Sequence, residues 1–481
     1  MDRSHQHSKN GVGLIAGTAR RNITPPVGAP LLGTIQRCTG IHDELYARAL
    51  VLGDESQLVA FISLDLIGMD FGLADEIREA IRKSAGISMS LVHCTHNHSA
   101  PFTIPWSVLG PRWLAGPGRK WRDSLPQIVA EAVAEAKRTA MPTKLSAGRA
   151  PVQIGSNRRL RTSEGVVMKP NPDGSVIPWV DVLRIERIDG TKTVLFSHAA
   201  HPVIIHGSSR LISAEFPGFA AGKLESVLGE GSIALFGQGF AGDINGNPLR
   251  GGIDAAKSAG EELARATLAA LEDCEPITES SFQIRSVRID IPLQALPSRS
   301  ECEKSLKEAE EKLAQCNQAD LASDERLWDL QDLVGVAKSQ EESSEADDVQ
   351  PMEKQPWWRM DTVLCLQDLL LKVDARAETP LRFEAHVLRI GDDWGLLATT
   401  HELFSEYQLR LEENVPTKHK MMLAYTNGCE SYIPMDKDLS LGGYEASSFP
   451  EDGAALRYRH RRAVRPGCEQ KVMEALRAVW K

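Results

Sequence analysis

Five apolar, strand-like runs in this chain end directly in residues that bind metals or move protons, and that pattern limits the fold more than any other feature. Ser90 to His93 leads into Thr95-His96-Asn97-His98-Ser99, and Thr193 to Phe196 into Ser197-His198-Ala199-Ala200-His201-Pro202. Ile233 to Phe236 leads into Gly237-Gln238-Gly239-Phe240-Ala241-Gly242-Asp243, Trp394 to Ala398 into Thr399-Thr400-His401-Glu402, and Met421 to Tyr425 into Thr426-Asn427-Gly428. In open α/β sheets ligands bind beyond the carboxyl ends of the strands. A fold that brings these five endings to one rim is therefore expected. From Val12 to Asp290, β-branched apolar runs alternate with helix-like segments, the pattern of an α/β protein with a mixed sheet and flanking helices.

The spacing predicts a strand over Leu58–Leu66 and a helix over Asp75–Ala85, with Ile77, Ile81 and Ala85 on one stripe. Further helices are expected over Ser124–Thr139 and Ala255–Leu271, strands over Phe383–Ile390, Trp394–Thr399 and Met421–Ala424, and a closing helix over Cys468–Trp480. Residues 1–12 read as a flexible lead and 13–481 as one catalytic domain. Residues 297–356 stand apart. Ser300 and Glu303 have capping-box spacing, and Cys302, Leu306, Ala309 and Leu313 recur at helical intervals. A second amphipathic segment, Asp324–Val336, precedes the acidic Gln340–Asp348, expected to be a mobile connection. Together they predict a helical hairpin inserted into the domain, structural in purpose.

Composition removes several functions. A net charge of -10 and a pI near 5.8 leave no basic groove for nucleic acid. The one dense basic run, Arg457 to Arg462, reads as a solvated face. No stretch is apolar for the ~18 residues that a membrane span needs. Met1–Asn10 has no apolar segment behind its charges, so no secretory signal is read and a cytoplasmic location is expected. Eight scattered cysteines without a CxxC pair suit free thiols in a reducing compartment.

His96 and His98 are two apart, and on an extended segment both would face one ion. His201 closes a strand and is a better ligand candidate than His206, while His198 is expected to face the core. His401-Glu402 lacks the second histidine of a zincin helix, so that protease motif is excluded; alone, Glu402 reads as a carboxylate opening a helix.

These residues resemble those of the neutral/alkaline non-lysosomal ceramidase family. Gly17-Thr18-Ala19 to Ile23-Thr24-Pro25, Gly40-Ile41-His42-Asp43 and Tyr46-Ala47-Arg48-Ala49 are similar to its opening stretches. Thr95-His96-Asn97-His98-Ser99-Ala100-Pro101 is similar to its most specific signature. His201-Pro202, Gly242-Asp243, Glu402-Leu403-Phe404, Asn427-Gly428, Tyr432-Ile433-Pro434 and Gly443-Tyr444-Glu445 follow in family order. The resemblance implies one zinc ion per chain, held by His96, His201, Glu402 and Tyr432. Two neutral imidazoles and one carboxylate leave such an ion positive, which lowers the pKa of water beside it toward ~7.

On the same resemblance His98 passes a proton to the leaving group and Arg158 stabilises the oxyanion. His42 and Asn245 fall at substrate positions. Asp243 either orients a ligand histidine or closes a turn. The family's Gly-Asp-x-Ser-Pro-Asn reads Gly242-Asp243-Ile244-Asn245-Gly246-Asn247 here, so no serine nucleophile is available on this segment. The family's first Asp of Asp-Ile-Thr is Asn22, and no C-terminal immunoglobulin-like domain is expected. With aromatic residues at only 6%, no lipid-docking belt is evident, and the implied reaction is hydrolysis of an N-acyl amide, ceramide-like or smaller. An ester substrate and an oligomeric state both stay open. Two other readings stand: a barrel-type metal amidohydrolase built on His96-x-His98, and a binding protein that kept the fold without turnover.

Overall fold

Three strand–helix–strand units line up the ends of their strands. The structure, a computed structural model, describes residues 13–31, 36–54, 56–104, 106–107, 117–316, 355–448 and 453–481. The first unit is Leu58–Leu64, helix Phe71–Ala85 and Met89–Cys94. The second is Lys192–His198, Glu215–Leu228 and Ile233–Gln238; the third is Trp394–Thr399, Ser405–Glu412 and His419–Leu423. In each unit the two strands are parallel neighbours, which requires a crossover rather than a tight turn. The first helix shows how sequence sets such an element. Asp70 caps it by accepting from the Leu73 N–H, Ile77, Ile81 and Ala85 form its buried stripe as expected, and Gly86 at φ 66° ends it.

The first two units lie at opposite ends of a nine-stranded sheet. Its order runs from Ile233–Gln238 through Lys192–His198, Trp179–Arg187, Met141–Pro151, Ile15–Asn22, Tyr46–Gly53 and Leu58–Leu64 to Met89–Cys94, with Glu275–Pro276 alongside Met141–Pro151. The sheet folds back so that its ends meet: the Ser63 hydroxyl donates to the Phe236 carbonyl at 2.7 Å, and the Gln238 N–H to His93 Nε2 at 2.8 Å. The third unit belongs to a four-stranded sheet with Phe282–Ile291 and Leu381–Ile390. Its last strand is stitched between the other two units, with Ala424 N donating to Gln238 O (3.1 Å), Cys94 N to Tyr425 O (3.2 Å) and Asn427 N to Val92 O (2.8 Å). Leu91, Leu235, Leu396 and Met421 fill the core between the sheets. Buried leucines of this kind each contribute about 1.5–3 kcal/mol. Among the described residues the sheets are open and mixed, so the barrel alternative fails.

Four expectations need correction or placing. The capping box is made by Ser298 and Glu301, not Ser300 and Glu303. The same spacing occurs twice, and Ser298 is the first residue able to cap after Pro297, so the helix Arg299–Ala314 starts there. That helix packs on Pro356–Ala375 through Cys302 and Ala309 against Val363, Leu366 and Leu369. The partner helix thus begins where the expected insertion ends, while residues 1–12, Asp324–Val336 and Gln340–Asp348 lie outside the described residues. The basic run is not a solvated face: Arg457 and Arg461 are buried, and only Arg459 has a well-exposed side chain there, at 63%. Asp361 and Asp368, two turns apart on Pro356–Ala375, draw the two arginines inward. None of the eight cysteines is in a disulfide, and no described helix is long and apolar enough to cross a membrane.

Candidate metal centre

His96 follows Met89–Cys94 with φ 64°, and His401, Tyr425 and Asn427, also just past strands, have φ 69°, 54° and 60°. Left-handed backbone at such residues costs on the order of 1–3 kcal/mol and persists only where the surroundings fix it. Here it turns side chains back over the strand ends. His96 and His98 therefore do not meet through an extended i, i+2 alignment, as expected from sequence, but through a kink. Asn97 holds that kink, donating to Ser213 O at 2.6 Å and accepting from Ser99 N at 2.8 Å.

The kink brings His98 Nε2 to 3.4 Å from His96 Nε2, and the His96 ring stands edge-on to His201 at 4.4 Å between centroids. Ligand atoms of His96, His98 and His201 all lie within 4.8 Å of one another, a group that could hold a metal ion. Glu402 joins them, its Oε2 3.1 Å from His201 Nε2 and 3.3 Å from His96 Nε2. Glu402 does not open a helix. It sits on the two-residue strand Glu402–Leu403, in register beside Tyr432–Ile433 so that Glu402 neighbours Tyr432, and the next helix starts at Ser405. His401 points away, its Nε2 donating to Arg382 O at 2.6 Å and its Nδ1 accepting from Glu430 N at 3.1 Å.

Hydrogen bonds decide where the ring protons are. His96 Nδ1 lies 2.7 Å from Ile67 O, and His201 Nδ1 lies 2.7 Å from Ala241 O. A carbonyl only accepts, so each Nδ1 carries a proton, and a ring in its neutral form then presents its Nε2 lone pair. Burial pushes His201 down to about 3 and His98 well below the usual histidine range, so both are neutral near pH 7. Burial alone would raise Glu402, yet the neighbouring His96 and His201 hold it well below the usual carboxylate range. His96 Nε2 and His201 Nε2 thus converge on Glu402 Oε2, at 3.3 and 3.1 Å. A cation fits such a donor set.

Around this core the remaining expected residues divide. Arg158 is buried and uses four of its five N–H donors: Nε to Glu445 Oε1 (2.7 Å), Nη1 to Asn245 Oδ1 (2.9 Å), and Nη2 to Gly242 O (2.8 Å) and the Tyr432 hydroxyl (3.1 Å). Arg158, Asn245 and Tyr432 thus form one connected group. Asp243 accepts from Ser405 N at 2.7 Å, Ser405 Oγ at 2.9 Å and Asn157 Nδ2 at 3.0 Å, and burial raises it to about 6. Those bonds tie its segment to Ser405 and Asn157; the Ala241 and Ile244 carbonyls on either side of it, not its carboxylate, orient His201. His42 is exposed, bonded to Asp43 at 2.7 Å and edge-on to Phe219, with no contact to the histidine cluster. His198 bonds Trp179 O at 2.8 Å and packs, as expected.

Sequence reasoning missed Tyr425, Tyr458 and Glu445 as site residues. Tyr425 reaches Glu402 Oε2 at 3.5 Å and lies over His96, with 4.1 Å between ring centroids. Its place at a strand end was the available signal. Tyr458 donates to Glu402 Oε1 from within the supposedly solvated basic run, where nothing in the sequence marks it.

Gly242 shows how tightly the Glu402 strand is held. A Cβ there would lie 2.8 Å from Glu402 O and 2.9 Å from Leu403 O. Gly242→Ala should cost about 1–3 kcal/mol, read as a lowered urea midpoint, because the backbone carrying Glu402 must shift.

The model of the neutral/alkaline non-lysosomal ceramidase N-terminal domain matches residues 15–277, more than half of the chain. The chain belongs to that family. Within the family, the neutral ceramidase of Mycobacterium tuberculosis is 24% identical over 233 residues, 44% of this chain and 36% of the relative. The match therefore spans about a third of the curated relative's length. The crystal structure of neutral ceramidase from Pseudomonas aeruginosa superposes over 97% of this chain and 74% of its own, with a TM-score of 0.65 at 17% identity. A ceramidase complexed with C2 does so over 94% and 74%, with a TM-score of 0.64 at 16% identity. At those identities the likeness establishes the ceramidase fold across nearly the whole chain.

Proposed function

We propose that this chain is a zinc-dependent hydrolase that cleaves an N-acyl amide, ceramide-like or smaller. The observation that carries the reading is the convergence of His96 Nε2 and His201 Nε2 on Glu402 Oε2, at 3.3 and 3.1 Å. These residues would hold one zinc ion, with Tyr432, the cross-strand neighbour of Glu402, as the fourth ligand. Zinc bound there would supply Lewis acidity toward water and toward the amide carbonyl.

The chain's own groups would do the rest. His98, neutral and half-buried beside His96, takes a proton at its ring and delivers it to the departing amine. Arg158 stays charged although buried, because Tyr432 and Glu445 beside it outweigh the cost of burial, and it opposes negative charge growing on the carbonyl oxygen. Asn245 holds Arg158 through its amide oxygen and offers no hydroxyl for attack, so the nucleophile would be water.

The test is a zinc-loaded preparation incubated with ceramides and shorter N-acyl amides and esters, with released amine or alcohol measured. Turnover is expected for at least one amide, with one zinc per chain, and its loss in His96→Ala. If wild type cleaves nothing that His96→Ala leaves intact, the binding-protein reading replaces this one.

A further inference from the structure

The phenol of Tyr458 donates to Glu402 Oε1, the carboxylate oxygen that faces away from the two histidines. Tyr458 is buried, and the residues beside it are fixed to a distant part of the chain. The Arg457 guanidinium lies 3.7 Å over the Trp358 ring, its Nε is 3.3 Å from Asp361 Oδ2 with both side chains fully buried, and its Nη2 donates to the Thr362 hydroxyl. Arg461 Nε donates to Asp368 Oδ2 at 3.0 Å. Its Nη1 gathers the carbonyls of Leu456, Arg457 and Tyr458 at 3.0, 3.0 and 3.1 Å. Trp358, Asp361, Thr362 and Asp368 all belong to the helix Pro356–Ala375, which Leu456 also packs against together with Arg299–Ala314. A buried ion pair is expensive to form and gives weak net stability, so its use here points to fixing a position.

We propose that Tyr458 is a positioning residue for Glu402, and that the helix Pro356–Ala375 is the brace that holds it through Arg457 and Arg461. The proposal rests on the reading of Glu402 as a metal ligand. Partners of this kind orient a ligand, and their loss typically weakens metal binding about 10–100-fold.

The test measures zinc affinity by competition with a chromogenic chelator for wild type, Tyr458→Phe, Glu402→Gln, their combination, and the double replacement Arg457→Met with Asp361→Leu. Tyr458→Phe is expected to bind zinc about 10–100-fold more weakly while melting as one cooperative unit. On the Glu402→Gln background the same change should add less than about twofold, because the group being positioned is gone. The Arg457→Met, Asp361→Leu protein, with its ion pair replaced by apolar volume, should show a loss in the range of Tyr458→Phe. Wild-type affinity in Tyr458→Phe, with zinc lost in Glu402→Gln, overturns the positioning role. An equal loss on both backgrounds overturns it as well, since Tyr458 would then act without Glu402. Full affinity in the double replacement, with loss in Tyr458→Phe, removes the brace. Wild-type affinity in Glu402→Gln shows instead that the ligand reading failed, and the proposal falls with it.

Discussion

Glu402→Gln should release zinc and lower amide hydrolysis by about 10³-fold or more, the two losses appearing together. The size follows from charge. Among the described residues Glu402 is the one carboxylate in contact with His96 and His201, so the amide leaves a cation there with neutral donors only. A bound cation is worth several kcal/mol to a carbonyl under attack, and each ~1.4 kcal/mol is tenfold in rate. The replacement also puts an NH2 or carbonyl where Oε2 now sits, 3.1 Å from a lone pair on His201. Metal content after dialysis and product release on the best amide of the panel measure both losses. A variant that keeps one zinc and hydrolyses within tenfold of wild type would remove Glu402 from the site. The substitution is close in volume, so a cooperative melt should persist and separate this effect from unfolding.

How much of this site was legible beforehand follows from the range of each signal. His96, His201 and Glu402 each follow a run of apolar residues, and that local pattern is readable because a strand's period and its abrupt polar end lie within ten residues. Their meeting depends on three crossover units sharing one rim, which hydrophobic pattern does not state but the open-sheet rule anticipates. The kink at His96 was invisible, since positive φ at a histidine has no composition cue. The same holds for Glu402, whose strand of two residues is too short to show alternation and reads as a helix start. Tyr458 and the basic run failed for a different reason. Arg457 and Arg461 read as solvated because their partners, Asp361 and Asp368, lie about 95 residues earlier. Burial of a charge is set by where its counter-charge folds, and a single sequence does not reveal that.

The same principle makes Glu445, outside the metal cluster, a costly carboxylate to delete. Its Oε1 accepts from Arg158 Nε at 2.7 Å and its Oε2 from Arg159 Nη1, with all three side chains no more than 6% exposed. Arg159 also has Asp438, at 3.6 Å, and two backbone carbonyls; among the described residues Arg158 has no second carboxylate within ion-pairing distance. Glu445→Ala therefore leaves at least one buried guanidinium without a counter-charge, and neither arginine can shed its proton. Breaking a buried pair from one side costs about 3–5 kcal/mol, far more than an exposed pair such as Lys304–Glu308 contributes. Urea unfolding should show this drop for Glu445→Ala, with Lys304→Ala as a control whose midpoint stays put. Arg158 also holds the Tyr432 hydroxyl and Asn245, so zinc affinity should weaken in the same variant. A loss below about 1 kcal/mol would mean that water reaches the two arginines and that the pocket around Arg158 is wetter than its burial indicates.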